Sequence, residues 1–203
     1  MTIISNRKQG PSTRRIELSD GSFFLLPADS SQVPELRAGM SADDELRDRL
    51  ADEHRRHSRL LVLTKTLDLL AAREHSSQEL SRKLLQRGYD ADLVAEVLNE
   101  CREAGYVDDR RFARAFVESR LRRQPEGRAV LQSRLAGRGV GRHICDEVLQ
   151  EIFSIEAEHD ALQRAFEKVS RRSDDAEKQM AALIRKGFPY AAVKAVVRNQ
   201  ESS

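Results

Sequence analysis

Three glycines constrain this chain more than any other feature. The segments KLLQRGYD, RLAGRGVG and ALIRKGFP carry glycines at 88, 139 and 187, so one pattern recurs at offsets of 51 and 48 residues. The alignment sets Leu84 with Leu135 and Leu183, Tyr89 with Val140 and Phe188, and Val97 with Val148 and Val196. Each unit reads helix, glycine turn, helix. A further helical stretch precedes each pair: Leu60 to Arg73, Arg110 to Arg123 and Ile155 to Ser170. Any two amphipathic helices around a glycine resemble each other, but three copies at near-constant spacing favour a true repeat. The expected fold is therefore mainly α. Three tandem three-helix modules, at 59–107, 108–153 and 154–203, should stack into an elongated, curved helical array with the three glycines at equivalent turns.

Composition agrees with helices, since Ala, Glu, Lys, Leu and Arg make up 98 of the 203 residues and Trp is absent. From Met40 to Arg87 there is neither Gly nor Pro, and Leu60, Leu63, Leu67 and Leu70 predict one buried helical face. Ser41-Ala-Asp-Asp-Glu45 offers an N-cap and an acidic first turn for a connecting helix over 41–58. Ser76 and Glu79 form a capping-box pattern, Asp90 can cap the helix after Gly88, and Pro189 suits the start of the last helix. The first 40 residues differ. Short apolar segments on either side of Asp20-Gly21 predict a small β-hairpin appendage.

The formal net charge is only +2, so its distribution matters more than its size. Residues 110–142 hold ten Arg against Glu118 and Glu126, making the second module the basic one. At 100° per residue, Arg111, Arg114 and Arg122 share one arc of the first helix, while Phe112, Ala113, Phe116 and Val117 share the opposite arc. One side packs and the other meets a partner. Arg120 falls in the apolar arc, where it either pairs with a buried carboxylate or snorkels along the core edge. With only Phe112 and Phe116 nearby, both assigned to the core, no base-stacking platform is evident. Electrostatic, sequence-independent contact fits this surface better.

Catalytic motifs are absent: no GxxxxGK[ST], GxSxG or HExxH, and no GxGxxG after a strand. Gly137-Arg-Gly139-Val-Gly141 follows a helix and reads as a turn. His54 and His57 share a face near Asp52 and Glu53 but lack a further ligand group, and solvation explains them. His75, His143 and His159 show no partner pattern. Cys101 and Cys145 lie in apolar helix patterns and read as small core residues. Adjacent Asp108 and Asp109 precede the Arg110 helix, where either can cap it. Neither metal nor cofactor nor catalytic group is expected. With no run of about 18 apolar residues and no signal-peptide pattern, a soluble cytoplasmic protein is expected.

Taken in order, His75-Ser-Ser-Gln-Glu-Leu80, Lys83-Leu84, Gly88-Tyr89 and Gly105-Tyr-Val-Asp-Asp-Arg-Arg-Phe-Ala113 resemble the RecX family of regulators of the RecA recombinase. The motif positions carried by this resemblance are Ser76, Glu79, Leu80, Gly88, Tyr106, Asp108, Asp109, Phe112 and Ala113. The N-terminal hairpin and the Gly39-Met-Ser turn are similar to the appendage of longer members. Arg134-Leu135 departs from a frequent Glu-Leu, and the third module is recognisable mainly through Lys186-Gly187-Phe188. The resemblance implies a non-enzymatic protein that binds in the groove of RecA–DNA filaments. There it modulates, usually inhibiting, recombinase, ATPase and co-protease activity in DNA repair and the SOS response. Its contact surface would be the basic face of Arg110, Arg111, Arg114, Arg122, Arg123, Arg128, Arg134, Arg138 and Arg142. Weak, non-specific contact with single- and double-stranded DNA, no membrane partner and a monomeric state are expected alongside. An independent, sequence-nonspecific DNA-binding helical protein is the alternative.

Overall fold

The computed structural model describes residues 1–201, so positions 202–203 of the third expected module lie outside it. The chain divides into two compact units, one of residues 1–68 with 84–97 and one of residues 69–83 with 98 onward. The first unit holds three antiparallel strands in the order β1 (Ile3–Lys8), β2 (Thr13–Leu18) and β3 (Phe23–Pro27). The expected hairpin is β2–β3. Leu18 N–H donates to the Ser22 carbonyl, and Gly21 supplies the left-handed residue at φ +86°. Strand β1 was not expected: of its six residues only Ile3 is buried, so no apolar alternation announces it.

Helix α1 (Asp44–Ala72) is continuous, so the expected boundary between residues 58 and 59 falls inside it. Its cap is Asp43, which accepts the Leu46 N–H at 2.8 Å, whereas Ser41 bridges to Thr2. The expected leucine face is also corrected. Leu60 is 58% exposed and Leu67 38%, while the buried positions are Leu46, Leu50, His57, Val62 and Thr66. At 100° per residue the first three span an arc of about 40°, and the last two lie roughly opposite. The two halves of α1 therefore bury different faces. Leu46 and Leu50 join Ile3, Ile16, Leu18, Leu26, Val33, Leu36 and Ala42 in one apolar cluster.

His54 and His57 are not solvated as expected, because they fasten α1 to the sheet. Leu25 N–H donates to His54 Nδ1 at 2.9 Å, and His57 Nε2 lies 3.0 Å from the buried Thr13 hydroxyl. Burial pushes both imidazoles below their ordinary value of 6.5. His54 further lowers His57, with Glu53 and Asp29 opposing.

Helices α2 (Ser77–Leu85) and α3 (Ala91–Glu103) follow α1, with Leu80, Leu84, Val94, Val97, Leu98 and Cys101 buried. Asp90 caps α3 by accepting the Leu93 N–H at 2.9 Å. The next two modules are α4 (Asp109–Arg123), α5 (Arg128–Ala136) and α6 (Arg142–Ile152), then α7 (Ile155–Ser170), α8 (Ala176–Arg185) and α9 (Tyr190–Glu201). Each has its own core. Phe112, Val117, Leu131, Leu135, Val148 and Leu149 fill one, and Leu162, Phe166, Leu183, Phe188, Val193 and Val197 fill the other.

The three glycines occupy equivalent turns, as the repeat predicts. Gly88, Gly139 and Gly187 have φ of +82°, +78° and +86°. In each turn the next N–H donates to a carbonyl five residues back: Tyr89 to Leu84 (3.4 Å), Val140 to Leu135 (3.2 Å) and Phe188 to Leu183 (3.4 Å). The second and third turns also lock onto the preceding module. A Cβ on Gly139 would lie 2.4 Å from Gln78 Cβ, and one on Gly187 would lie 2.9 Å from the Val130 backbone nitrogen. Beside these contacts the Ser76 hydroxyl donates to the Arg138 carbonyl at 2.6 Å, and Gly127 N–H donates to the Lys186 carbonyl at 2.8 Å. Residues 76 and 127 are themselves 51 apart, and each acceptor immediately precedes a turn glycine. The junction repeats along with the module.

Two outcomes follow. Gly88→Ala, with nothing within 4 Å of the added carbon, carries only the left-handed strain, about 1–2 kcal/mol. Gly139→Ala adds a clash with Gln78, so its loss in chemical denaturation should be at least about twice as large. For pH, His54 and His57 have folded values below 6.5, so their contribution is complete above that value and shrinks as pH falls below it. The thermal midpoint should drop between roughly pH 7 and 5, and His57→Gln should flatten that descent.

Candidate partner-binding surface

The N-terminus of α4 is built by two carboxylates with separate tasks. Asp108 caps α4 itself, accepting from Arg110 N–H at 2.8 Å and Arg111 N–H at 3.0 Å. Asp109 instead reaches back to α2 and accepts the Ser77 N–H at 2.7 Å, so one helix start braces another. The expected capping box is half formed. Ser76 Oγ accepts the Glu79 N–H at 3.1 Å, but the Glu79 carboxylate turns to His75 (3.1 Å), Arg73 (3.4 Å) and Arg138 (3.4 Å). His75 is thus a buried partner of Glu79, and its burial pushes the imidazole down.

The basic segment is largely neutralised by the fold. Arg110 pairs with Glu147 at 2.7 Å and with Glu151, and Arg114 shares Glu151. These arginines are four apart on α4, and the two glutamates are four apart on α6, so a cationic ladder meets an anionic one. Arg111 is a clamp. Its Nε donates to Glu74 at 2.6 Å, while Nη1 and Nη2 donate to the Gly105 and Tyr106 carbonyls at 3.1 and 2.9 Å. Arg138 lies over the Phe116 ring at 4.4 Å besides approaching Glu79, and Arg142, 91% exposed, is 3.7 Å from Asp146.

Arg120 takes the first of its two expected roles. It donates to Glu126 at 2.8 Å, and Arg134 meets the same carboxylate at 2.8 Å; Glu126 is only 5% exposed. A buried carboxylate held by two guanidinium groups is a structural hub. Arg122, Arg123 and Arg128 are exposed, and none has a carboxylate partner among the described residues. Among the nine expected contact arginines, these three keep their charge uncompensated.

Of the remaining motif positions, Leu80, Phe112 and Ala113 are core, and Phe112 stacks on Phe116 with centroids 6.1 Å apart. Tyr106 is exposed and offers its carbonyl to Arg111. Cys101 and Cys145 are buried, and burial pushes the Cys145 thiol up, away from the thiolate. Among the described residues, no group of three or more His, Cys, Asp or Glu is placed to hold a metal ion. No helix there is long and apolar enough to cross a membrane.

Residues 63–101 match the first three-helix domain of RecX, and residues 108–149 match the second. A regulatory protein RecX from Pelodictyon phaeoclathratiforme is 33% identical over 139 residues, covering 68% of this chain and 87% of that one. The chain belongs to the RecX family. Another regulatory protein RecX, from Halorhodospira halophila, is 38% identical over 137 residues, covering 64% of this chain and 81% of its own. A crystal structure of regulatory protein RecX shares the fold with a TM-score of 0.66 at 19% identity, over 98% of both chains. A RecX structure from Lactobacillus salivarius has a TM-score of 0.63 at 18% identity and covers 72% of this chain and 99% of its own. The family's three-helix domains thus coincide with the turns built on Gly88 and Gly139.

The geometry separates two kinds of arginine in this chain. Arg111→Ala should cost about 1 kcal/mol of stability, a value reduced for its partial exposure, because it frees two carbonyls and Glu74. The double replacement Arg122→Ala with Arg128→Ala should stay within about 0.5 kcal/mol of the parent in urea denaturation. Equal losses would show that the clamp at Arg111 is not structural.

Proposed function

We propose that this chain is a non-enzymatic regulator of the RecA recombinase that binds in the groove of RecA–DNA filaments and inhibits recombinase, ATPase and co-protease activity. The observation that carries the reading is the pair of RecX three-helix domains, in relatives named regulatory protein RecX, joined here by a fixed junction. Their polar side chains serve packing: the buried Glu126 and Glu79 bind arginines, and the half-buried Asp108 and Asp109 cap helices. On this reading the protein acts in the cytoplasm as a monomer in DNA repair and the SOS response. Contact with the filament uses the exposed part of the basic segment, above all Arg122, Arg123 and Arg128, and contact with bare DNA is weak and non-specific.

A second reading, direct DNA binding without RecA, rests on the same three uncompensated arginines. The two separate in solution. Added in amounts well below RecA, the chain should lower single-strand-dependent ATP hydrolysis and shorten filament lifetime, and charge reversal at Arg122, Arg123 and Arg128 should restore both. No effect on RecA would end the first reading. The second predicts log affinity falling with log salt by about 0.9 per phosphate neutralised on duplex DNA and about 0.7 on single strands, so a flat salt dependence would remove it.

A further inference from the structure

A second concentration of uncompensated cations lies mostly outside the basic segment of the sequence. A cavity of about 450 Å³ opens where α5, the end of α7 and α8 meet, and Arg134, Arg172, Lys178, Arg185 and Lys186 line it with one carboxylate, Glu126. Of these cations only Arg134 lies within residues 110–142. Glu126 is already held by Arg120 and Arg134, and Lys178 is 3.1 Å from Asp175. Arg172, Arg185 and Lys186 have no ion pair with a carboxylate among the described residues.

Three observations make this a built site rather than a solvated surface. Its frame is fixed, because the Lys186 carbonyl accepts the Gly127 N–H at the junction between the second and third modules. Burial pushes the Lys186 ammonium down, and Lys168, Arg172 and Arg120 push the same way against the attraction of Glu126. An anion entering the cavity would relieve that repulsion. Finally, Val130, Val169 and Ala182 give it an apolar wall, and its volume lies in the range of small-molecule pockets.

We propose that this cavity binds the phosphate groups of a nucleotide, free or as part of a strand. Two guanidinium groups present planar forks suited to phosphate oxygens, two ammonium groups add point charge, and the apolar wall is available to a sugar or base. Five cations against one carboxylate leave an excess of four positive charges, which a triphosphate or several consecutive backbone phosphates can match. The inference concerns the free chain and does not depend on the RecA reading.

The test uses the full chain, titrated in a calorimeter with ATP, inorganic tripolyphosphate and an oligothymidylate, with backbone amide shifts followed in parallel. Arg172→Gln with Arg185→Gln removes two exposed, unpaired cations. Arg185→Gln alone serves if the pair alters the melting curve. Arg49→Gln with Arg56→Gln, both exposed on α1, removes the same charge elsewhere. Saturable binding should weaken about tenfold in the first variant and less than about twofold in the control, with the largest shifts at 172, 185 and 186. Binding of ATP or tripolyphosphate that the oligonucleotide does not displace assigns a free nucleotide. Binding of the oligonucleotide alone, with the same loss, assigns strand phosphate. If no probe saturates, or if both double variants lose equally, the proposal is overturned.

Discussion

The contact on which the larger unit depends is a backbone approach that a side chain would forbid. At Gly139 and Gly187 the chain passes so close to the preceding module that an added Cβ would overlap Gln78 or the start of α5. The same two glycines must also adopt positive φ to end a helix, so one residue type satisfies a conformational and a packing demand at once. Around each, a donor from the previous module satisfies the carbonyl just before the glycine. Ser76 uses its hydroxyl and Gly127 its amide, so the acceptor is conserved in geometry while the donor's chemistry differs. A carbonyl left unpaired at such a site would cost more than a bond formed there contributes, which specifies how the modules register.

Charge in this fold is settled by tertiary neighbours more than by segment. The stretch 110–142 contains only two glutamates, yet five of its ten arginines are matched by Glu74 before α2, by Glu79 in α2, and by Asp146, Glu147 and Glu151 on α6. All these carboxylates lie outside the segment over which the excess was counted. Part of this was legible in advance: Arg110 and Arg114, like Glu147 and Glu151, are spaced four apart, and three-helix modules bring the first and third helices together. The cations of the third module went unremarked for the converse reason. Asp174, Asp175 and Glu177 dilute the local count, although the fold leaves Arg172 and Arg185 facing a cavity without them.

What the sequence made legible follows the redundancy of its signals. Gly88, Gly139 and Gly187 announce themselves three times over, and the helix starts at Asp90 and Asp108 are marked by oxygen-bearing caps that the structure uses. The faces of α1 were illegible because a single stripe presumes a single environment, whereas the helix buries Leu46 and Leu50 on one side and Val62 and Thr66 on the other. The leucines at 60 and 67 sit on neither. His54 and His57 were misread because a polar residue beside a sheet is indistinguishable in sequence from one beside water until the strands that accept it are placed. For Asp109, local rules pointed to its own helix, and the structure gives its carboxylate to α2.

The neutralised ladders are not inert. Exposed ion pairs contribute at most about 1 kcal/mol, and several of those on α4 and α6 are exposed, so a partner able to present better-placed oxygens can displace Glu147 or Glu151 at little cost. The same carboxylates hold the guanidinium groups in fixed orientations, which lowers the side-chain entropy lost if another anion replaces them. A surface of this kind discriminates. Paired in this way, the arginines exert less unspecific attraction on an anion than ten bare guanidinium groups would. Arg120 and Arg134 cannot take part on those terms, since releasing them would strand Glu126 in the interior. The arginines of the second module are thus divided by burial into those that can exchange ion-pair partners and those that cannot.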